Sequence, residues 1–197
     1  MLIGVTTRDP MLTPLDILKY MWLVFGVYWL LSARHSSKSI THEVPWWRFG
    51  RLLILAATFM LLFATWLPVG PLAWRFAPQS STLTCLGLAI TFAGLVLCVS
   101  ARLHLGTNWS DKVVLKSDHQ LIRTGPYKFL RHPIYSGVLL AIVGTALAIG
   151  QWRGVAALAV MSINYVIKAR REERILTTQF GDAYRDYQRT AGFLFPR

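Results

Sequence analysis

Two clusters in this chain combine residue types suited to chemistry on a small polar ligand. The first is the run Gly125-Pro126-Tyr127-Lys128-Phe129-Leu130-Arg131-His132-Pro133-Ile134-Tyr135-Ser136-Gly137. A basic, ring-rich loop passes straight into an apolar helix, with His132 and Pro133 at the join. Proline suits the first turn of a helix, where its missing N–H costs nothing. The peptide N–H groups exposed there, at the positive end of the helix dipole, favour a polar ligand. The second cluster, Lys168, Arg170, Arg171, Glu172 and Glu173, sets cations beside carboxylates much further along the chain.

Both clusters lie in an unusually apolar chain. Of its 197 residues 54% are hydrophobic and only 15% charged, and the mean hydropathy is positive. That composition points to a membrane protein, and the length to a single domain over 1–197. Five apolar segments, roughly Leu15–Ala33, Phe49–Leu67, Thr82–Leu105, Pro133–Gly150 and Arg153–Ala169, approach the ~17–25 residues a spanning helix needs. The expected fold is all-α and integral to the membrane. Three spanning helices fill 1–105; a loop, a hairpin of the fourth and fifth spans, and a C-terminal helical tail fill 106–197. Met1 to Pro14 lacks the pattern of a cleavable signal, so the first helix is expected to stay attached.

The net charge of +12 excludes little by itself. The basic residues fall between apolar runs rather than along one face, and no nucleic-acid-binding motif accompanies them. They read as membrane-margin charges. In a five-span topology 17 of the 21 lysines and arginines fall on one side, in 34–51, 102–131 and from 168 onward. That side is expected to be cytoplasmic, with the N-terminus outside. Cys85 and Cys98 read as small core residues, Arg102 and His104 as boundary residues, and Trp46-Trp47 as an interfacial anchor. His35, His42 and His119 receive no role. The sequon at Asn108-Trp109-Ser110 falls on the expected cytoplasmic side, which argues against glycosylation. No metal-ligand spacing is present, and no metal is expected.

The hairpin brings the two clusters together. Pro133 to Gly150 runs out and Arg153 to Arg170 runs back, each about 27 Å at 1.5 Å per residue. Lys168, Arg170, Arg171, Glu172 and Glu173 therefore return to the level of Arg131, His132 and Tyr135. Adjacent helical residues point about 100° apart, so only one of Glu172 and Glu173 is expected to face that site directly. From the residues alone, blander roles stay open. His132 would serve as a helix cap, Tyr127 and Tyr135 as interfacial aromatics, and the glutamates as solvated charges paired with arginine.

The same residues carry a family resemblance. Leu121 to Gly137, with its Gly-Pro-Tyr and Arg-His-Pro-x-Tyr-x-Gly elements, resembles the first signature of the isoprenylcysteine carboxyl methyltransferase family, which is related to the phospholipid methyltransferases. Glu172-Glu173, Phe180-Gly181, Tyr184, Tyr187 and Leu194-Phe195-Pro196 resemble its second. Gly106-x-Asn108-Trp109-Ser110 resembles the segment preceding the first, so the likeness covers about 104–197. It implies S-adenosylmethionine as methyl donor, held between the hairpin, the preceding loop and the tail. The cofactor-binding residues it implies are Gly125, Tyr127, Arg131, His132, Pro133, Tyr135, Glu172 and Glu173. It also implies a lipophilic acceptor arriving from the bilayer, a prenylated carboxylate or a phospholipid. The protein itself is expected to be a monomer. An arginine orients substrate in that family where this chain has Lys168. Lysine keeps the charge but loses the bidentate fork, so Arg170 and Arg171 stay beside it as candidates for the acceptor-orienting, catalytic cation.

Methyl transfer from a sulfonium to a carboxylate is an in-line displacement that neutralises charge. It gains from positioning and desolvation, and an ionised carboxylate needs no general base. An amine acceptor would have to lose a proton, giving Glu172 or Glu173 a base role. A transporter or other non-enzymatic membrane protein is the rival class. Transporters favour polar or broken helices at mid-membrane, whereas here charge gathers at the boundary.

Overall fold

The computed structural model describes residues 12–33, 45–66, 70–106 and 121–197. The Gly106-x-Asn108-Trp109-Ser110 element beyond Gly106, the sequon, His35, His42, His119 and the opening residues to Met11 lie outside them.

Among the described residues the architecture is all-helical, with two isolated β-bridges, Arg75 with Gln151 and Leu130 with Gly192. Its helices are α1 (Pro14–Ala33), α2 (Pro45–Phe63), α3 (Ser81–Leu105), α4 (Pro133–Ile149), α5 (Trp152–Phe180) and α6 (Asp182–Thr190). By length and composition two of them, Pro14–Ser32 and Ser81–Leu105, are long and apolar enough to cross a membrane. Phe49–Phe63 and Pro133–Ile149 are apolar but shorter. Large hydrophobic side chains face outward along several helices, including Leu23, Val24 and Leu30 of α1, Phe92 of α3 and Ile163 of α5.

The centre of the molecule is the antiparallel pair α3–α4. A Cβ on Gly94 would lie 2.5 Å from the Gly137 oxygen and the Ala141 nitrogen, and one on Gly144 2.4 Å from the Thr91 nitrogen. Only small residues let the backbones approach so closely. Thr91 and Thr145 sit hydroxyl to hydroxyl at 3.3 Å in this contact, and the Trp22 indole of α1 donates to Thr145 at 3.0 Å. Cys98 is buried there, but Cys85 is exposed, contrary to its expected place in the core. Thirteen residues at about 100° each put the two on opposite faces of α3.

Two buried arginines tie helix ends together. Arg153, at the start of α5, donates from Nη1 to the Ala64 oxygen at 3.1 Å and from Nε to Gln151 at 2.7 Å. It thereby satisfies a carbonyl just past α2 that the helix leaves open. Arg102 departs from the expected boundary residue reaching for water. It is 5% exposed and donates to the Gly106 and Ser32 oxygens, each at 2.8 Å, joining the ends of α3 and α1. α5 also differs from expectation: it continues unbroken past Ala169 to Phe180. The break falls at Gly181, whose φ of +53° turns the chain into α6.

Candidate active site

The site is built at one end of the α4–α5 hairpin. Pro133 opens α4, His132 is its N-cap residue, and a 3-10 turn over Gly125–Lys128 leads into it. Gly125 starts that turn at φ +56° and backs onto the His104 ring, where a Cβ would come within 2.2 Å. The tail is stitched over this loop. The Arg131 N–H donates to the Gly192 oxygen at 2.8 Å, and the Gly192 N–H donates to Phe129 at 3.0 Å. The Tyr187 hydroxyl donates to the buried oxygens of Tyr127 and Leu130 at 2.6 and 3.2 Å. Burial pushes the Tyr187 phenol up to about 12, so it stays a donor. Ser136 donates to the Leu194 oxygen at 2.7 Å, and Arg123 to that of Ala183.

Inside this wrap, the return of α5 places both glutamates against α4. The Tyr135 hydroxyl donates to Glu172 Oε1 at 2.6 Å. His132 lies between the two carboxylates, with Nδ1 3.6 Å from Glu172 Oε2 and Nε2 3.3 Å from Glu173 Oε1. Arg131 Nε donates to Glu173 Oε1 at 2.6 Å, and Gln188 of α6 donates to its Oε2 at 3.2 Å. The expectation that one glutamate alone would face the site is corrected. An imidazole carries nitrogens on two edges, and wedged against α5 it meets adjacent side chains at once.

Rings complete the cluster. His132 stacks on Tyr135 with centroids 5.4 Å apart and planes 6° apart; Tyr165 stacks on the other side of Tyr135 at 4.6 Å. Phe193 of the tail meets His132 edge-on at 5.3 Å. Lys168 turns its Nζ over the Tyr135 ring, 5.3 Å from the centroid, a cation–π contact. Burial disfavours charge on Glu172, but the neighbouring His132 ring, the Lys168 charge and the Tyr135 hydroxyl outweigh it and hold the carboxyl below its ordinary value. Glu173 is held low in the same way, its burial outweighed by His132 and Arg131. Burial also opposes charge on His132, yet the two carboxylates keep the imidazole above its ordinary value. The site is a compact set of opposed charges, largely shielded from water.

Of the residues singled out in the sequence, Arg131, His132, Tyr135, Lys168, Glu172 and Glu173 converge here. Pro133 and Tyr127 are buried beneath them as helix start and tail anchor. Arg170 and Arg171 are exposed on α5. Sequence reasoning missed Tyr165, Gln188 and Phe193. Tyr165 was readable, since 165, 168 and 172 share one helical face. Gln188 reaches Glu173 through the turn at Gly181, for which local pattern gives no direction.

Comparison with known proteins gives the chain a family. The phospholipid methyltransferase family model matches residues 82–183, from the first turn of α3 to the start of α6. The chain belongs to that family of membrane methyltransferases. It is 27% identical over 185 residues to a methanethiol S-methyltransferase of a Pseudomonas strain, covering 85% of this chain and 70% of that one. Against a protein-S-isoprenylcysteine O-methyltransferase of Tribolium castaneum it is 32% identical, over 58% of this chain and 42% of the relative. In fold it resembles the eukaryotic intramembrane Ras methyltransferase, isoprenylcysteine carboxyl methyltransferase. The TM-score is 0.62 at 22% identity, covering 97% of this chain and 69% of that one. The resemblance carried by the paired motifs holds at the level of the family.

Proposed function

We propose that the protein spans the membrane five times, N-terminus outside, and transfers a methyl group from S-adenosylmethionine at its cytoplasmic face. The observation that carries this reading is the meeting of Arg131, His132 and Tyr135 with Glu172 and Glu173 under a tail that closes over them. The donor set fits such a cofactor. Carboxylates suit hydroxyl and ammonium groups, Arg131 suits a carboxylate, and the stacked rings suit a purine or a sulfonium. When bound, the donor supplies an electrophilic methyl on a positively charged sulfur. The chain's own part is to hold it in line, exclude water and present the acceptor.

Lys168, whose ammonium lies over the Tyr135 ring, supports an anionic acceptor, which needs no base. A lipophilic carboxylate such as that of a prenylated cysteine is the reading the paired motifs favour. The Pseudomonas relative, aligned over more of this chain than the Tribolium one, favours a second reading, a thiolate. Membranes carrying the protein, incubated with methyl-labelled S-adenosylmethionine, decide between them. A farnesylcysteine analogue as acceptor gives label that alkali releases as methanol, and methanethiol gives a volatile labelled thioether. Alkali-stable label in phosphatidylethanolamine would instead assign an amine acceptor. Transfer to none of the three contradicts the proposal.

A further inference from the structure

The placement of His132 carries a consequence for its role. The side chain is 5% exposed and each ring nitrogen faces a carboxylate: Nε2 is hydrogen-bonded to Glu173 Oε1 at 3.3 Å, and Nδ1 lies 3.6 Å from Glu172 Oε2, an ion-pair distance. One ring face lies on Tyr135, and Phe193 meets the ring edge-on. Both nitrogens of the imidazole are therefore turned toward carboxylates of the protein. A neutral imidazole donates from one nitrogen and turns a lone pair from the other. Against carboxylates on both sides, one of the two contacts would then be repulsive. Only the imidazolium, with a proton on each nitrogen, is attracted to both carboxylates.

We propose that His132 is a positioning residue which, as an imidazolium bridging Glu172 and Glu173, fixes the two carboxylates for the donor without touching the donor itself. The proposal rests on the reading of the Glu172–Glu173 cluster as the donor site and assigns the division of labour within it. His132 holds and the glutamates bind. Glu172 keeps one further protein donor, the Tyr135 hydroxyl, while Glu173 also takes Arg131 and Gln188. Loss of the ring proton would therefore release Glu172 first.

The charged and titratable surroundings agree with this assignment. From the loop, Arg131 shares Glu173 with His132. From α5 come the two carboxylates, with Lys168 one turn and Tyr165 two turns earlier, both packed against the Tyr135 ring. α4 contributes Tyr135, α6 the neutral Gln188 and the buried Tyr184, and the tail the uncharged Phe193. Arg131 is the cation sharing a carboxylate with the ring, and two carboxylates face it. The balance favours the protonated ring.

The test uses the full-length chain in nanodiscs. Nitrogen-15 spectra of the imidazoles, with His132 assigned by its loss in His132→Gln, are expected to show both ring nitrogens of His132 protonated at pH 7. A single neutral tautomer there overturns the proposal. Binding of S-adenosylhomocysteine, which lacks the sulfonium charge, is then followed from pH 6 to 9. Wild-type affinity should fall on the alkaline side, with a slope approaching tenfold per pH unit for one linked proton. His132→Gln should bind weakly and without that pH dependence, at about the level the wild type reaches when deprotonated. A His132→Gln protein that keeps the wild-type profile, or melts as wild type yet binds at no pH, overturns the positioning role and leaves the donor site standing. Failure of the wild type to bind at any pH overturns the donor-site reading, and the positioning role with it.

Discussion

Replacing Glu173 with glutamine tests whether the buried charge cluster holds the hairpin, loop and tail together. Glu173 accepts from Arg131, His132 and Gln188, and its side chain is 15% exposed against 12% for Arg131. Removing one partner of a buried ion pair costs roughly 3–5 kcal/mol, chiefly through the charge left behind. Here the stranded guanidinium keeps the Gln188 and Ala191 oxygens, and an amide oxygen can still accept one bond. The loss should fall to about 2–3 kcal/mol. For a chain near 200 residues that lowers the melting midpoint by roughly 4–12 °C. The assay is thermal unfolding in detergent, with Asp182→Asn as control. The Asp182–Arg185 pair lies on the exposed face of α6, with side chains 89% and 61% exposed, and its loss should leave the midpoint within error. Equal midpoints for Glu173→Gln and wild type would refute the reasoning, because the Arg131–His132–Glu173 contacts would then contribute nothing to the fold.

Two further outcomes follow from the same structure. Gly94→Ala drives a Cβ into α4 backbone 2.5 Å away and should cost about 1–3 kcal/mol, whereas Gly26→Ala on α1, with nothing within 4 Å, should be neutral or slightly stabilising; the same melting assay compares them, and equal midpoints contradict the close α3–α4 approach. In pH, the carboxylates held low contribute stability that is full above their unfolded value of 4.5 and is lost as pH falls through their folded values. The raised imidazole contributes stability that is full below 6.5 and is lost as pH rises through its folded value. The melting midpoint should therefore be highest between those limits and decline above, and a midpoint that climbs steadily from pH 6.5 to 8.5 would contradict the cluster's charge assignment.

The helices were legible because apolar run length is a strong signal, and the hairpin because a short connection between two such runs admits one geometry. That arithmetic brought Lys168, Glu172 and Glu173 to Arg131, His132 and Tyr135 from sequence alone. What escaped depended on rotation and on contacts between distant segments. Cys85 and Cys98 share one apolar run, but nothing in it says which face of α3 is covered. Arg102 sits where a boundary arginine would, and its burial depends on the end of α1 arriving beside it. The continuity of α5 through Arg170–Glu173 was hidden by a change in composition, since the helix leaves its apolar stretch without leaving its geometry. Whether one glutamate or two would face the site turned on the imidazole between them, a detail that helical angles do not contain.

Whether the Glu172–Glu173 cluster holds the methyl donor is decided by titrating purified full-length protein with S-adenosylhomocysteine in a calorimeter, wild type against Glu172→Gln. The glutamine can still accept from the Tyr135 hydroxyl while the charge is removed, and a melting curve of the variant checks that it is folded where binding is read. The wild type should bind saturably and the variant at least tenfold more weakly, about 1.4 kcal/mol or beyond. Binding of equal strength in both proteins, or none in the wild type, would contradict the donor-site reading.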